Sequence, residues 1–463
     1  MEASFTIRDL LEDWGAFIFS LILGISGLIL GRLLKKNIVS MIFNLFALLT
    51  LLAFSILYSG DGKEVFGIFE FDRFFFNSCF WISVFGIITL FVSFQEVSSK
   101  GEVFPENFFF VLLSSLGAIL MTGSKDFLSL FISKELMSFN IYAMIYFIRD
   151  RYGVESAFKY FISSALLSLF YLLGFSFFII SNETIFISNP KSILGILGVY
   201  LVLFDLFFKS GSAPFHFWVP DVYQGAPSST VVFAGSVVKF ASFLAIMRIF
   251  DLTGQNYKHL LEIIVILSVI IGSLGGLVQK ELKRILAYSS IAHSGFISLL
   301  LFGTGSKDFK EFLLFYLATY GISFAGAFSV ISLFKNTLLY LEDIRGFSSA
   351  HRFFSLLLSV FLITFTGLPL LSGFPSKYFA FFTALSVKEV VPVIISAIGS
   401  LISLYFYFIP LVRTFMESAE NKLDFNINTF VGLILMILAF LSFVFGVYPD
   451  LFFIMTQKIP LFS

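Results

Sequence analysis

Charged residues are scarce in this chain of 463 residues, in which Lys, Arg, Asp and Glu together make up only 13%. Soluble proteins carry about a quarter of their residues as charges, so a large solvated domain is excluded. The thirty basic and thirty acidic residues balance, which leaves no net positive field that would attract nucleic acid. The single cysteine, Cys79, excludes an internal disulfide and any cysteine-rich metal or iron–sulfur site.

Signals for targeting and for nucleotide binding are also lacking. The N-terminal residues MEASFTIRDLLEDW are more acidic than basic and do not form the positive start of a cleaved signal peptide. We therefore expect the first apolar run to be a retained helix. The chain has neither a G-x-G-x-x-G motif after a strand nor a Walker loop, so we expect no redox cofactor, nucleotide or metal in this chain.

Long apolar runs are what the chain does contain. Hydrophobic residues make up 58% of it, the mean hydropathy is +0.96, and runs of about 20 apolar residues, long enough to cross a bilayer, recur from end to end. This pattern predicts an all-α polytopic membrane protein. We predict fourteen segments, centred on 15–34, 38–58, 71–94, 106–123, 127–148, 156–180, 193–210, 228–250, 260–279, 285–303, 310–334, 352–371, 390–412 and 427–447.

Helix breakers interrupt two of these segments. The seventh runs into KSGSAPFHFWVP and the twelfth runs through TGLPLLSGFPSK. Broken backbone at membrane depth is tolerated only inside protein or beside a watery cavity, and two such breaks at corresponding places indicate inverted repeats. Segments 4–8 and 9–13 would be these two five-helix repeats.

The repeats predict four parts of the chain. The loop distribution of Lys and Arg favours an orientation with both termini on the outer side of the membrane. The predicted parts are 1–105 with helices 1–3, 106–250 with the first repeat, 251–413 with the second repeat, and 414–463 with helix 14 and the tail.

Five ionisable residues lie within or beside the breaks and spans, where charge by default marks an ion path or a proton relay. They are Glu135, Lys209, Lys239, His293 and Lys377. A structural ion pair with another helix is the alternative for Glu135, snorkelling to the interface is the alternative for Lys239 and Lys377, and a satisfied core residue is the alternative for His293. Burial lowers the pKa of a lysine side chain, and an approaching carboxylate raises it, so lysines ended by a glutamate can pass protons.

Three further residues are candidates for supporting roles. Lys159 lies just inside the sixth segment, where snorkelling is the alternative, and His216 follows the first break. Asp205 lies four residues before Lys209, on the same helix face, and a pair between them would oppose proton release. Few carboxylates line the path, so protons fit it better than sodium, which prefers clustered oxygens.

Four stretches of the sequence resemble a known family. The run KSGSAPFHFWVPDVYQGAPSSTVVFAGSVVKF is similar to the helix 7–8 region of the antiporter-like subunits of respiratory complex I, and its DVYQGAP ending to subunit N in particular. The stretches FISKELMSFNIYAMIYF, KRILAYSSIAHSGF and GLPLLSGFPSKY resemble the family's helices 5, 10 and 12. The resemblance spans nearly the whole chain.

The resemblance implies roles for the ionisable residues. Glu135 would pair with Lys209, Lys239 would be the central relay lysine, His293 would continue the polar axis and Lys377 would serve the exit. Lys134 beside Glu135 departs from the family pattern and could compete for that carboxylate, and Ser294 stands where a bulkier apolar residue is common.

The resemblance also implies a setting for the chain. Flavin, iron–sulfur clusters and quinone would belong to partner subunits, which would include subunit M and the small membrane subunits K and J in a bacterial inner membrane. Proton translocation driven by quinone reduction elsewhere would be the function. The alternatives are an Mrp-like cation/proton antiporter subunit and a membrane-arm subunit of a related hydrogenase or ferredoxin-linked complex.

Overall fold

A computed structural model describes most of the chain. The described residues are 7–58, 63–101, 103–147, 151–254, 257–305, 308–334, 339–418, 425 and 428–459. The predicted end of the fifth segment at 148 and the predicted start of the fourteenth at 427 lie outside these ranges.

Helices make up nearly all of the first half, because a backbone in lipid must satisfy its hydrogen bonds within each segment. Asp126 begins one of them by accepting hydrogen bonds from the amides of Leu128 and Ser129 at 2.9 and 2.8 Å. The helices are α1 (Ile7–Leu33), α2 (Asn37–Leu57), α3 (Arg73–Lys100), α4 (Pro105–Gly123), α5 (Phe127–Tyr146), α6 (Arg151–Asn182), α7 (Ile193–Ser210), α8 (Trp218–Gly225), α9 (Ser228–Phe233) and α10 (Lys239–Thr253).

The second half repeats this helical character. A π-helical turn, Ala234–Val238, joins α9 to α10 in one continuous span, and a 3₁₀ turn, Leu299–Gly303, extends the twelfth helix. The helices are α11 (Lys258–Leu277), α12 (Leu282–Ser298), α13 (Phe309–Ile331), α14 (Phe347–Ala350), α15 (Arg352–Thr366), α16 (Gly373–Ser386), α17 (Val390–Met416), α18 (Thr429–Val447) and α19 (Asp450–Gln457).

Twelve helices of the described part are long and apolar enough to cross a membrane. Neither α5, which carries Lys134 and Glu135, nor the interrupted pair α15 and α16 is among these twelve. The polytopic all-α fold is therefore confirmed. The count of fourteen crossings, the inverted repeats and the four predicted parts stay predictions.

A small hairpin outside the spans was not predicted. Strands β1 (Lys63–Val65) and β2 (Phe69–Phe71) pair antiparallel between α2 and α3. Buried Arg248 of α10 holds this region, because its guanidinium donates to Glu70 at 2.9 Å and to Asp72 at 3.0 Å. The same guanidinium donates to the carbonyl of Thr122 at 2.8 Å. Four elements are thereby fixed at one end of the bundle.

Burial separates a protein-enclosed centre from a lipid-facing periphery. The apolar windows of Ser228–Thr253 and of α13 are completely buried, and that of α12 with its 3₁₀ extension is 89% buried. The windows of α1 and α18 are only 28% and 33% buried. The helices that carry Lys239 and His293 therefore lie at the centre of the bundle.

Candidate functional site

The first group of charges lies between α5, α6 and α7. The ammonium group of Lys134 lies 2.8 Å from the carboxylate of Glu135 and 2.7 Å from that of Asp205. The side chains of Lys134 and Asp205 are completely buried, whereas that of Glu135 is 16% exposed. Lys134 also donates to Ser168 Oγ at 3.0 Å, and this hydroxyl donates to Glu135 Oε1 at 2.6 Å.

This arrangement differs from the expected pairs. The resemblance implied that Glu135 pairs with Lys209, and the spacing on α7 allowed a pair between Asp205 and Lys209. In the described part of the chain, neither carboxylate forms an ion pair with Lys209 within 4 Å, and both contact Lys134 instead. The physical reason is that Lys134 lies between the two carboxylates and reaches both with one ammonium group.

Lys209 occupies the last turn of α7, where the helix stops. Gly211 takes a left-handed conformation with φ of 73° and ends the helix. The buried ammonium of Lys209 donates to Ser164 Oγ at 2.6 Å, and the hydroxyl of Tyr142 donates to the same oxygen at 2.6 Å. The ring of Tyr160 lies 5.1 Å from the ammonium, within the range of a cation–π contact.

The break after α7 begins inside the protein, with residues 211–213 buried, whereas Pro214 and Phe217 are exposed. The indole of Trp218 donates to the carbonyl of Phe208 at 2.9 Å, and the amide of Ala213 donates to Ser268 Oγ at 2.8 Å. The freed backbone groups thus find partners at membrane depth, as the fold requires. The break therefore places hydrogen-bonded polar backbone groups beside Lys209.

Lys239 begins α10, directly after the π-helical turn. It is 2% exposed, and its ammonium donates to the carbonyl of Ser290 at 2.6 Å, to Ser290 Oγ at 2.8 Å and to Ser294 Oγ at 2.8 Å. The ring of Tyr320 lies 4.9 Å away. Snorkelling is excluded for this residue, because all three donors are used inside the bundle on neutral acceptors.

Ser294 joins the Lys239 group to the end of α7. Its hydroxyl lies 3.0 Å from the carbonyl of Ser210, the residue after Lys209, and donates to it. The serine that departs from the family pattern is therefore part of the polar contact between the two lysine sites.

His293 lies on α12 beside these serines. Its Nδ1 lies 2.9 Å from the hydroxyl of Tyr316, and its Nε2 has no hydrogen-bond partner among the described protein groups. A cavity of about 10 Å³ borders His293, Tyr316 and Ser376. This volume is at the lower limit for one water molecule. His293 therefore has a polar neighbour on one side and a small space on the other.

Lys377 is the fifth residue of α16, which follows the second break. Its ammonium is buried, donates to the carbonyl of Thr366 at 2.9 Å and to Ser400 Oγ at 2.8 Å, and lies 4.9 Å from the ring of Phe296. The Thr366 carbonyl is an orphan acceptor at the end of α15. Lys377 thus closes a helix end inside the bundle.

The second break depends on close backbone approach. Gly367 and Leu370 have φ of 79° and 80°. An added Cβ at Gly373 would overlap the carbonyl oxygen of Thr364. Only glycine fits at position 373, so the break predicted from GLPLLSGFPSK depends on this close backbone contact.

Among the described residues, no hydrogen bond or ion pair joins Lys159 or His216 to the buried lysines. Lys159 is 45% exposed and forms ion pairs with Glu155 at 2.8 Å and Asp221 at 2.7 Å. Arg284 reaches the same Asp221 at 3.0 Å. His216 is half-buried in the break, and its Nδ1 has no hydrogen-bond partner among the described groups. Lys159 is therefore an exposed member of a group of ion pairs.

Several partners were not selected from the sequence. Lys134 stands out in the sequence only as a departure from the family pattern, and the hydroxyl residues that contact the lysines do not stand out. The stretch FISSALLSLF indicates two of them, Ser164 and Ser168, because hydroxyls spaced four residues apart share one helix face. The partners are Ser164, Ser168, Ser400, Tyr142 and Tyr320.

The family model described as "NADH:quinone oxidoreductase/Mrp antiporter, TM" matches residues 124–403 of the chain. NADH-quinone oxidoreductase subunit N of Bdellovibrio bacteriovorus is 32% identical over 351 residues, covering 71% of this chain and 72% of that protein. NADH-quinone oxidoreductase subunit 14 of Thermus thermophilus is 36% identical over 303 residues, covering 65% and 69%. The matched region contains all five predicted relay residues.

Solved structures share the architecture. A chain of respiratory complex I from Thermus thermophilus superposes with a TM-score of 0.81 at 28% identity, covering 94% of this chain and 98% of that one. A chain of the archaeal membrane-bound sulfane sulfur reductase gives a TM-score of 0.85 at 23% identity, with 98% and 97% covered. At that identity the likeness shows the fold alone. The chain belongs to the family of NADH-quinone oxidoreductase subunit N, the antiporter-like membrane subunits of complex I.

Proposed function

We propose that this chain translocates protons across the membrane as a subunit of an NADH:quinone oxidoreductase. One observation carries the proposal: Lys209, Lys239, His293 and Lys377 are all buried in one bundle and are held by hydroxyls and carbonyls. Burying unpaired charge in a membrane protein is costly and by default marks an ion path.

The contacts between these residues support a relay. Ser294 contacts both Lys239 and the carbonyl beside Lys209, and the ring of Tyr320 lies 4.9 Å from the ammonium of Lys239 and 5.1 Å from the ring of His293. A hydroxyl both donates and accepts a hydrogen bond. The hydroxyls of Ser290 and Ser294 and the small cavity beside His293 would therefore form part of a proton path through the bundle.

The carboxylates lie at one end of this series. Glu135 is the partly exposed member of the first group, and Lys377 lies at the second break. We assign Glu135 to proton loading, Lys209 and Lys239 to transfer, His293 to continuation of the path, and Lys377 to the exit. A change of charge at Glu135 alters the proton affinity of its neighbours by Coulomb interaction.

The redox chemistry is assigned to other chains. Flavin, iron–sulfur clusters and quinone would lie in partner subunits, and this chain would contribute the translocase step alone. We place it in a bacterial inner membrane, with both termini on the outer side, beside subunit M and small membrane subunits such as K and J. These assignments rest on membership of the family and on the multi-pass fold.

Affinity purification of this chain from its native host, followed by reconstitution into liposomes, tests the proposal. The purified complex is expected to oxidise NADH with a quinone acceptor and to acidify the liposome interior, and an uncoupler is expected to abolish the acidification. NADH oxidation without any acidification would contradict the proposal.

Two other results would favour the alternative functions. Exchange of sodium for protons without NADH would indicate a cation/proton antiporter. Co-purification with hydrogenase or ferredoxin-oxidising activity in place of NADH oxidation would indicate the related complexes. The likeness to a chain of the Mrp complex of a Dietzia species, with a TM-score of 0.81 at 16% identity, shows the fold alone and favours neither alternative.

A further inference from the structure

Four charged side chains lie close together between α5, α6 and α7. They are Lys134, Glu135, Asp205 and Lys209. Two are cations and two are anions, so the group is neutral when all four are ionised. The contacts within it are unequal, because Lys134 touches both carboxylates and Lys209 touches a serine hydroxyl instead.

Lys134 has no donor left for another partner. Its ammonium has three hydrogens, and its three polar contacts are Glu135 at 2.8 Å, Asp205 at 2.7 Å and Ser168 Oγ at 3.0 Å. The rings of Phe131 and Tyr171 lie 4.8 and 5.0 Å from its nitrogen. Lys134 is therefore enclosed, and its charge is held in place.

The two carboxylates differ in their freedom to move. Asp205 is completely buried. Glu135 is 16% exposed and borders a groove of about 620 Å³, whose lining also includes Ser168, Phe139 and Tyr142. Space beside Glu135 allows its side chain to leave Lys134, while Asp205 stays in contact with it.

We propose that Lys134 is the cation that Glu135 leaves and rejoins during proton loading, with Asp205 as the anion that keeps Lys134 in position. This inference rests on the proton-translocating function proposed above. Lys134 is a positioning residue in this scheme and stays charged throughout. Glu135 and Lys209 are the groups that change protonation.

Charge balance gives the order of events. When a proton binds the Glu135 carboxylate, its ion pair with Lys134 is lost and the group of four carries one excess positive charge. Lys209 then releases one proton to the next acceptor along the path, and neutrality returns. One proton enters and one leaves. Repulsion between the ammonium groups of Lys134 and Lys209 drives the release.

Substitutions in the assembled complex test this role. Lys134→Met leaves a net charge of −1 on the group, Asp205→Asn leaves +1, and the double variant restores neutrality. We expect each single variant to lower NADH-driven proton pumping at least tenfold. The double variant is expected to recover pumping, because Glu135 can then take Lys209 as its partner.

The pH profile distinguishes positioning from mere structural support. In the double variant Glu135 pairs with Lys209 instead of Lys134. The pH at which pumping falls on the acid side should therefore move by at least half a pH unit. Lys134→Arg, which keeps the charge, should retain the wild-type pH profile. The matched control is Lys310→Met with Asp251→Asn, a lysine–aspartate pair at 2.6 Å elsewhere in the bundle, which should leave the profile unchanged.

Two outcomes would overturn the inference. One is a Lys134→Met complex that assembles and pumps with the wild-type rate and pH profile. The other is a double variant that pumps with the wild-type pH profile, because Lys134 would then be only a static counter-ion. This second outcome decides the question when the single variant does not assemble. Failure of the wild-type complex to pump would refute the proposed function instead.

Discussion

Replacement of Lys239 by methionine separates the chemistry of this site from its packing. The methionine has a similar length and fills the same space, and volume-conserving changes in cores are tolerated well. The two hydroxyls that lose the ammonium keep partners, because Ser294 donates to the carbonyl of Ser210 at 3.0 Å and Ser290 lies 3.4 Å from the hydroxyl of Tyr223. No buried polar side chain is thereby orphaned.

The expected effect on stability is small because two large terms oppose each other. The three hydrogen bonds of the ammonium contribute roughly 1.5–3 kcal/mol each, as is usual for bonds to charged groups. Removing an ammonium from water costs several kcal/mol, and its three acceptors in the described part of the chain are uncharged. We therefore expect Lys239→Met to change the free energy of unfolding by less than about 2 kcal/mol.

The expected effect on activity is large. Without a titratable nitrogen at this position, proton pumping should fall at least tenfold, which corresponds to about 1.4 kcal/mol in the barrier. Pumping is measured in liposomes with a pH-sensitive dye, together with NADH oxidation. Lys310→Met is the control for removing a lysine elsewhere. A Lys239→Met complex that assembles, unfolds at the wild-type temperature and pumps at the wild-type rate would refute the relay.

Two further predictions concern the fold. Gly373→Ala should prevent assembly, because its Cβ would meet the carbonyl oxygen of Thr364. Gly15→Ala should not, because no described atom lies within 4 Å of its Cβ. Immunoblots of membranes measure the amount of each variant that assembles. Burial raises the pKa of Glu281, between two spans, from the ordinary 4.5 to about 7. The folded protein therefore holds a proton that the unfolded chain releases, and stability falls as the pH rises through this range. Glu281→Gln should remove that loss, raising the unfolding temperature in detergent at pH 8 more than at pH 5.

The spans and their breaks could be predicted because their causes are local. An apolar run of about 20 residues needs no distant partner to be recognised, and the prolines and glycines of KSGSAPFHFWVP and GLPLLSGFPSK stop a helix wherever it lies. The structure places breaks at residues 211–217 and 367–372, within those two stretches of sequence. The hairpin at Lys63–Val65 was missed because its strands are only three residues long.

The ion pairs could not be predicted because they depend on how helices rotate against each other. Asp205 and Lys209 share a face of α7, and spacing alone made them partners. The structure instead directs Asp205 toward α5, where Lys134 lies. Adjacent residues on a helix point about 100° apart, yet the ammonium of Lys134 reaches Glu135 because its side chain is long and flexible. Residue identity predicted which groups matter, and tertiary packing decides their pairing.

The serine contacts along the path have a consequence for direction. A hydroxyl turns about its C–O bond and both donates and accepts hydrogen bonds, so Ser164 and Ser290 accept from Lys209 and Lys239 when these lysines are charged and can donate to them when they are neutral. The hydrogen bonds inside the bundle therefore do not set the direction of proton transfer. Protons can move through the bundle in either direction. The direction has to be imposed at the two ends, by the charges around Glu135 and by the group that receives the proton from Lys377.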